Sequence, residues 1–204
     1  PAELAAEAAT FARWAHKLVQ HVQHARVAAT LATWQSIVEP AVASIPLKAA
    51  DSLEREAGTV TVELTAQETT ALLRDVPPVY RTQINDALLT ALALALRDAT
   101  AGSSFLIDME GHGREDIGAG LDLSRTIGWF TSLFPMRLDV AKAASVADAM
   151  KAIKEQVRRV PDRGLSYGLL RHLGGDEAQR KVIAGAQRAQ ILFNYLGQLD
   201  QVTA

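Results

Sequence analysis

The sequence predicts an α/β protein, because two hydrophobic patterns alternate along the chain. Apolar residues recur at three- and four-residue spacing through the first 40 residues, which is typical of amphipathic helices. Three apolar runs, at 103–109, 132–140 and 191–196, are typical of strands. The run at 84–99 is apolar almost all round and predicts a buried helix. Helices separated by strands favour a sheet flanked by helices.

The leading helices carry two aromatic residues that we expect in the core. Trp14 and Trp34 recur with aliphatic residues at helical spacing, and Pro40 and Pro46 predict the end of this helical stretch. His16, His21 and His24 are spaced by five and three residues without the Glu of an H-E-x-x-H site. We therefore interpret these histidines as a solvated polar face and predict no metal site.

Local signals predict the next elements. The alternation in residues 59–64, TVTVEL, predicts a half-buried strand. Thr65 and Glu68 form a capping box that starts a short helix, with a stop expected near Pro77 and Pro78. Ser145, with Asp148 three residues later, predicts the start of a helix that runs to about residue 159.

Composition excludes several classes of function. The 204 residues include 21 Lys and Arg against 23 Asp and Glu, so the charge of −2 gives no electrostatic case for binding nucleic acid or an anionic membrane. There is no cysteine, which excludes disulfides and thiolate chemistry, and there is no uncharged apolar run of about 18 residues to span a membrane. We expect a cytoplasmic protein, and Pro1 in place of an initiator Met predicts that the chain comes from a longer polypeptide.

A carboxylate, an imidazole and a guanidinium occur together directly after the strand at 103–109. The residues EGHGRE run from Glu110 to Glu115, with glycines that allow a sharp turn or close approach to a ligand. A carboxylate at the rim of an apolar core becomes a stronger base, since desolvation disfavours its charged form. A solvent-facing turn with scattered ion pairs is the alternative interpretation of this segment.

A polar pair interrupts the last apolar run. Asn194 and Tyr195 lie within ILFNYL at 191–196, where we expect them to be buried. Buried polar groups need partners or a function, because leaving them unpaired is costly.

Five motifs together resemble the epimerization domain of non-ribosomal peptide synthetases. In chain order these are D-x-L-L-x-A at 86–91, EGHGRE at 110–115, R-T-I-G-W-F-T-x-x-x-P at 125–135, P-x-x-G-x-x-Y-G at 161–168 and FNYLG at 193–197. The family's H-H-x-x-x-D-G motif is missing, since no two histidines are adjacent. The resemblance therefore implies that residues 1–204 form only the second, C-terminal lobe, a chloramphenicol-acetyltransferase-like lobe of a two-lobed domain. Leading helices are expected at 1–46 and the α/β part with the motifs at 58–204.

The resemblance also implies an activity and its partners. The family converts an L-aminoacyl or peptidyl residue to the D form while it is held as a thioester on the 4′-phosphopantetheine arm of a peptidyl carrier protein. The lobe is expected to bind no metal and no cofactor of its own. Its implied partners are that carrier protein and the missing first lobe, so the isolated chain is expected to be inactive.

Roles for individual residues follow from motif position. The resemblance makes Glu110 the acid/base candidate, with Tyr195 as a second proton carrier or enolate donor and Asn194 as a donor or orienting group. It gives loop-holding roles to His112, Arg114 and Glu115. Trp129 and Phe130 are expected either to line the tunnel or to pack in the core. Two alternatives stay open, a non-catalytic lobe that binds a carrier protein and a condensation domain that forms a peptide bond.

Overall fold

Three strands form one mixed sheet in the order β2-β1-β3. These are β1 (Ser104–Gly111), β2 (Ser132–Asp139) and β3 (Leu192–Phe193). β1 and β3 run parallel, with Asp108 opposite Leu192 and Met109 opposite Phe193. The sheet with its flanking helices confirms the predicted α/β class.

The computed structural model describes residues 9–39, 42–46, 57–118, 120–174, 177–184 and 188–197. The chain divides into two compact units, the first from residues 1–41, 106–137 and 159–204, and the second from residues 42–105 and 138–158. The predicted division at residues 46 and 58 stays a prediction.

The first unit begins with the leading helices α1 (Phe11–His21), α2 (Ala25–Ala29) and α3 (Leu31–Val38). Trp14 and Trp34 are both buried, which confirms their predicted place in the core. The indole Nε1–H of Trp34 donates to Ser166 Oγ at 3.0 Å, and its ring packs against Tyr167 with centroids 5.2 Å apart. These contacts fix the motif at 161–168 onto α3.

That motif forms a series of short helical turns. They are a 3₁₀ turn at Pro161–Gly164, α8 (Leu165–Gly168) and a π-helical turn at Leu169–Leu173, and α9 (Glu177–Ala184) follows. Asp162 and Arg163 have φ of 46° and 51°, in the left-handed region, so the 3₁₀ turn is strained.

In the second unit, α6 (Ile84–Thr100) packs against α7 (Val146–Arg158). Asp86 is buried at the start of α6, where its Oδ2 accepts the Gln83 N–H at 2.8 Å. Asp86, the first residue of the D-x-L-L-x-A motif, therefore forms part of the capping box at the N-terminus of α6. The predicted Ser145 cap is confirmed, since Ser145 Oγ accepts the Asp148 N–H at 3.1 Å.

The helix ends at Tyr80, two residues past Pro78, where a stop is expected nearby. The capping box of Thr65 and Glu68 is confirmed at the start of α4 (Ala66–Thr70), but the chain continues through a π-helical turn at Ala71–Asp75 into α5 (Val76–Tyr80). Both prolines lie in the first turn of α5, directly after the π-helical turn. Proline cannot donate to the carbonyls of the preceding turn, and the change in helix geometry there accommodates the missing hydrogen bonds.

The predicted strand at 59–64 is wrong. This segment has no assigned strand, and Val60 and Val62 are 91% and 84% exposed. A strand requires a neighbour for its backbone hydrogen bonds, and no strand in the described ranges pairs with this segment. The alternating pattern therefore supplies an apolar face without a surface to bury it.

The histidine face differs from the prediction at one position. His21 is buried rather than solvated, and burial lowers its pKa, with His24 and Arg26 adding to the effect by charge repulsion. Across the residues that the structure describes, no group of three or more potential ligands can hold a metal ion, and no helix is long and apolar enough to cross a membrane.

Candidate active site

The parallel pairing of β1 with β3 brings Glu110 and Asn194 together from opposite ends of the second half of the chain. The register pairs Met109 with Phe193, and one further step places Asn194 beside Glu110. The Asn194 side-chain Nδ2 donates to Glu110 Oε2 at 2.5 Å. The carboxylate is half-buried, and the pairing is held in register by the Asp108 N–H, which donates to the Ile191 carbonyl at 2.8 Å. The two motifs EGHGRE and FNYLG therefore meet at their polar residues.

The last strand is shorter than the sequence predicts. β3 ends at Phe193, so Asn194 and Tyr195 follow the strand instead of lying within it. Asn194 is exposed and Tyr195 is half-buried, and the expectation of a buried pair is wrong. Within the described ranges, the Tyr195 hydroxyl has no hydrogen-bond partner. Its role beside Glu110 stays a prediction.

The loop after Glu110 is packed tightly against Phe130. Gly113 has φ of +68°, and a Cβ at this position would lie 1.6 Å from the Phe130 carbonyl oxygen. The Arg114 guanidinium lies 4.0 Å from the centre of the Phe130 ring and donates to the Leu123 carbonyl. Both contacts fix the direction in which the chain leaves β1 beyond Glu110.

His112 and Glu115 join this loop to the turn at 161–164. The Arg114 N–H donates to His112 Nδ1 at 3.0 Å, and His112 Nε2 lies 3.2 Å from Glu115 Oε1. A neutral imidazole that accepts at Nδ1 carries its proton on Nε2, which can then donate to the carboxylate. Glu115 Oε2 also lies 3.5 Å from Arg163 Nη1, and Arg26 pairs with Asp162 at 2.5 Å. These contacts are consistent with the predicted loop-holding roles, which stay predictions.

The two aromatic residues of the G-W-F-T motif occupy different environments. Phe130 is buried and meets Phe11 edge to face, with ring centroids 5.0 Å apart. Trp129 is 82% exposed at the edge of an apolar groove of about 470 Å³ that α1 and the π-helical turn at Leu169–Leu173 also line. The structure therefore places Phe130 in the core and leaves Trp129 at the surface.

Sequence reasoning missed two charged residues near this site. Arg163 pairs with Glu115 and lies inside the motif at 161–168. The signal for it in the sequence is a cation between Pro161 and Gly164. Asp108 is a carboxylate within an apolar strand, two residues before Glu110, and the period of a strand places both on one face.

Gly113→Ala is expected to destabilise the protein by about 2–4 kcal/mol, since it combines left-handed strain with a backbone clash. Gly118→Ala is the matched control, because Gly118 has φ of +74° but no atom within 4 Å of the place where a Cβ would lie. Denaturant unfolding of both variants measures the difference. Equal losses of unfolding free energy would show that packing against Phe130 contributes nothing beyond strain.

The chain belongs to the condensation-domain family, whose model matches residues 2–204. It is 43% identical over 201 residues to one of the linear gramicidin synthase proteins of Brevibacillus parabrevis, covering 98% of this chain and 3% of that protein. It is 39% identical over 193 residues to surfactin synthase subunit 2 of Bacillus subtilis (strain 168), covering 94% of this chain and 5% of that protein. The chain thus spans only a small part of these relatives.

Solved structures show the same fold. The epimerization domain from the third module of tyrocidine synthetase B superposes with a TM-score of 0.87 at 36% identity, covering 96% of this chain and 44% of that one. The first condensation domain of the CDA synthetase superposes with a TM-score of 0.63 at 17% identity, covering 98% of this chain and 41% of that one, a likeness of fold alone.

Proposed function

We propose that this chain is the part of a non-ribosomal peptide synthetase epimerization domain that supplies Glu110 as an acid/base for inversion at an α-carbon. The observation that carries the proposal is the 2.5 Å contact between Glu110 Oε2 and Asn194 Nδ2, which joins the two motifs that resemble epimerization domains. The likeness to the tyrocidine synthetase epimerization domain supports it.

The arrangement fits proton transfer at carbon. A thioester acidifies the α-hydrogen because the electron pair left by the broken C–H bond delocalises onto the carbonyl oxygen as an enolate. Asn194 donates its hydrogen bond to Glu110 Oε2, and no donor among the described residues contacts Glu110 Oε1. The Oε1 atom is therefore available to take the proton. Inversion then requires a proton returned to the opposite face by a second acid. The family resemblance assigns that acid to the first lobe, with Tyr195 as a local candidate.

The substrate in this proposal is an L-aminoacyl or peptidyl thioester on the 4′-phosphopantetheine arm of a peptidyl carrier protein. The partners are that carrier protein and the first lobe of the epimerization domain. Peptide-bond formation is the second candidate function, favoured by the match to the condensation-domain family. A lobe that only binds the carrier protein is the third.

One assay separates these functions. The complete domain that contains this chain is incubated with an L-aminoacyl carrier protein, alone or with a second loaded carrier, and the released products are analysed on a chiral column. Epimerization gives the D-amino acid in both incubations, whereas condensation gives a peptide only with the second carrier. Binding of the carrier with neither product would overturn the proposal in favour of a recruiting lobe.

Tyr195→Phe is expected to slow exchange of the α-proton with deuterated solvent while changing the unfolding free energy by less than about 1 kcal/mol. The small stability effect is expected because the hydroxyl has no partner among the described residues, so its loss breaks no hydrogen bond there. Mass spectrometry of the released amino acid measures the exchange. Full exchange activity in the folded variant would remove Tyr195 from the mechanism.

A further inference from the structure

Asp108 lies on the same face of β1 as Glu110, and the proposed chemistry does not use it. The two residues are separated by Met109 within β1, and side chains two positions apart on a strand point the same way. Asp108 is opposite Leu192 in the register with β3, just as Glu110 lies beside Asn194. The two carboxylates therefore occupy successive rungs on one face of the sheet.

The Asp108 carboxylate receives no hydrogen bond from the part of the chain that the structure describes. It is half-buried, and among the described residues no group hydrogen-bonds to its oxygens or lies within 4.0 Å as an ion pair. Burial raises its pKa, and the charge of Arg171 opposes that effect. The Arg171 guanidinium itself donates to the Tyr167 hydroxyl at 3.0 Å. The half-buried carboxylate therefore keeps acceptor capacity on the face that it shares with Glu110.

We propose that Asp108 binds the α-ammonium group of an aminoacyl substrate while Glu110 acts on the adjacent α-carbon. The inference rests on the proposed function, and it makes Asp108 a residue that determines substrate specificity. An ammonium group is the ligand that a carboxylate without a donor accepts best, through charge-assisted hydrogen bonds.

The spacing of the two residues suits this substrate. Two residues along a strand advance by about 6.6 Å. A charge-assisted hydrogen bond spans about 2.8 Å, and reacting atoms approach to about 3–3.5 Å. With one carbon–nitrogen bond of about 1.5 Å between them, these lengths add up to about 7.5 Å along a straight path. The tetrahedral angles at the nitrogen and the α-carbon bend that path, which brings its span close to the advance from Asp108 to Glu110. One amino acid can therefore contact both carboxylates.

The consequence is discrimination between two kinds of thioester. An aminoacyl group has a free ammonium, whereas an N-acylated or peptidyl group has an uncharged amide at the same place. Loss of a hydrogen bond to a charged group corresponds to a change of about 10-fold to 100-fold. Removing the Asp108 charge should therefore affect only the substrate with a free amine.

The test compares Asp108→Asn with the wild type in the complete domain, on an L-aminoacyl carrier protein and on the same carrier with the amine acetylated. We expect D-amino acid formation from the free-amine substrate to fall about 10-fold to 100-fold, and formation from the acetylated substrate to change less than about 2-fold. Asp108→Glu should recover part of the loss. Asp98→Asn, which removes an exposed carboxylate on α6, is the matched control for net charge. Equal falls on both substrates, or no fall on either, would overturn the proposal.

A binding measurement keeps the inference separate from the proposed function. Pantetheine amides of the same L-amino acid, free or N-acetylated, are titrated into wild type and Asp108→Asn. A preference for the free amine that the variant loses would support the Asp108 assignment even if the wild type produces no D-amino acid, an outcome that would reject the epimerase proposal alone. A wild type without any preference would overturn the Asp108 assignment.

Discussion

Replacing Glu110 by glutamine is expected to reduce exchange of the substrate α-proton by at least about 100-fold, the usual effect of losing a general acid or base. Glutamine keeps the shape of the side chain, and its amide oxygen can still accept from Asn194 Nδ2, a contact that is 2.5 Å long in the wild type. What the substitution removes is the carboxylate oxygen that takes up and returns the proton. We therefore expect the chemistry to fail while the fold persists.

The measurement is deuterium incorporation at the α-carbon of an aminoacyl carrier incubated with the complete domain in deuterated solvent. Glu155→Gln serves as the control for net charge and for protein preparation. Glu155 is an exposed residue of α7, and its replacement disrupts a surface ion pair with Arg158. The unfolding free energy of the Glu110 variant should stay within about 1 kcal/mol of the wild type. Exchange at a near-normal rate would remove Glu110 from the mechanism.

The second large effect concerns these 204 residues as a separate polypeptide. We expect the polypeptide to fold, to bind apolar dyes or self-associate, and to form no D-amino acid. Leu192 and Leu196 lie on either side of Asn194 and are 55% and 75% exposed, so exposed apolar side chains flank the residue that contacts the candidate acid/base. Inversion also needs groups on both faces of the α-carbon and exclusion of water, and the H-H-x-x-x-D-G motif is absent.

Adding the first lobe of the proposed epimerization domain, in trans or fused, is expected to restore inversion and to suppress dye binding. Leu196→Glu provides a control for the surface effect, because a charge at an exposed position should reduce self-association without unfolding the chain. Appearance of the D-amino acid from the separate polypeptide at the rate of the complete domain would show that one lobe is sufficient.

Local signals predicted the parts of the fold that depend on neighbouring residues. The caps at Thr65 and Ser145 are confirmed, because the first turn of a helix brings the side-chain oxygen of the N-cap residue close to the amide three residues later. Predictions failed where a distant surface was required. The segment at 59–64 alternates like a strand yet has no strand beside it in the described ranges, and the last strand ends at Phe193.

The sequence by itself determined the α/β class, the helix caps and the motifs whose resemblance is to epimerization domains, since all of these are patterns of residue type and spacing. Only the tertiary structure decided that Asn194 meets Glu110, that Phe130 is buried while Trp129 is exposed, and that Asp108 has no donor among the described residues. The physical reason is strand register: parallel pairing of β1 with β3 sets which side chains share a face across 84 residues of chain. That pairing depends on backbone hydrogen bonds between distant segments, which residue type does not encode.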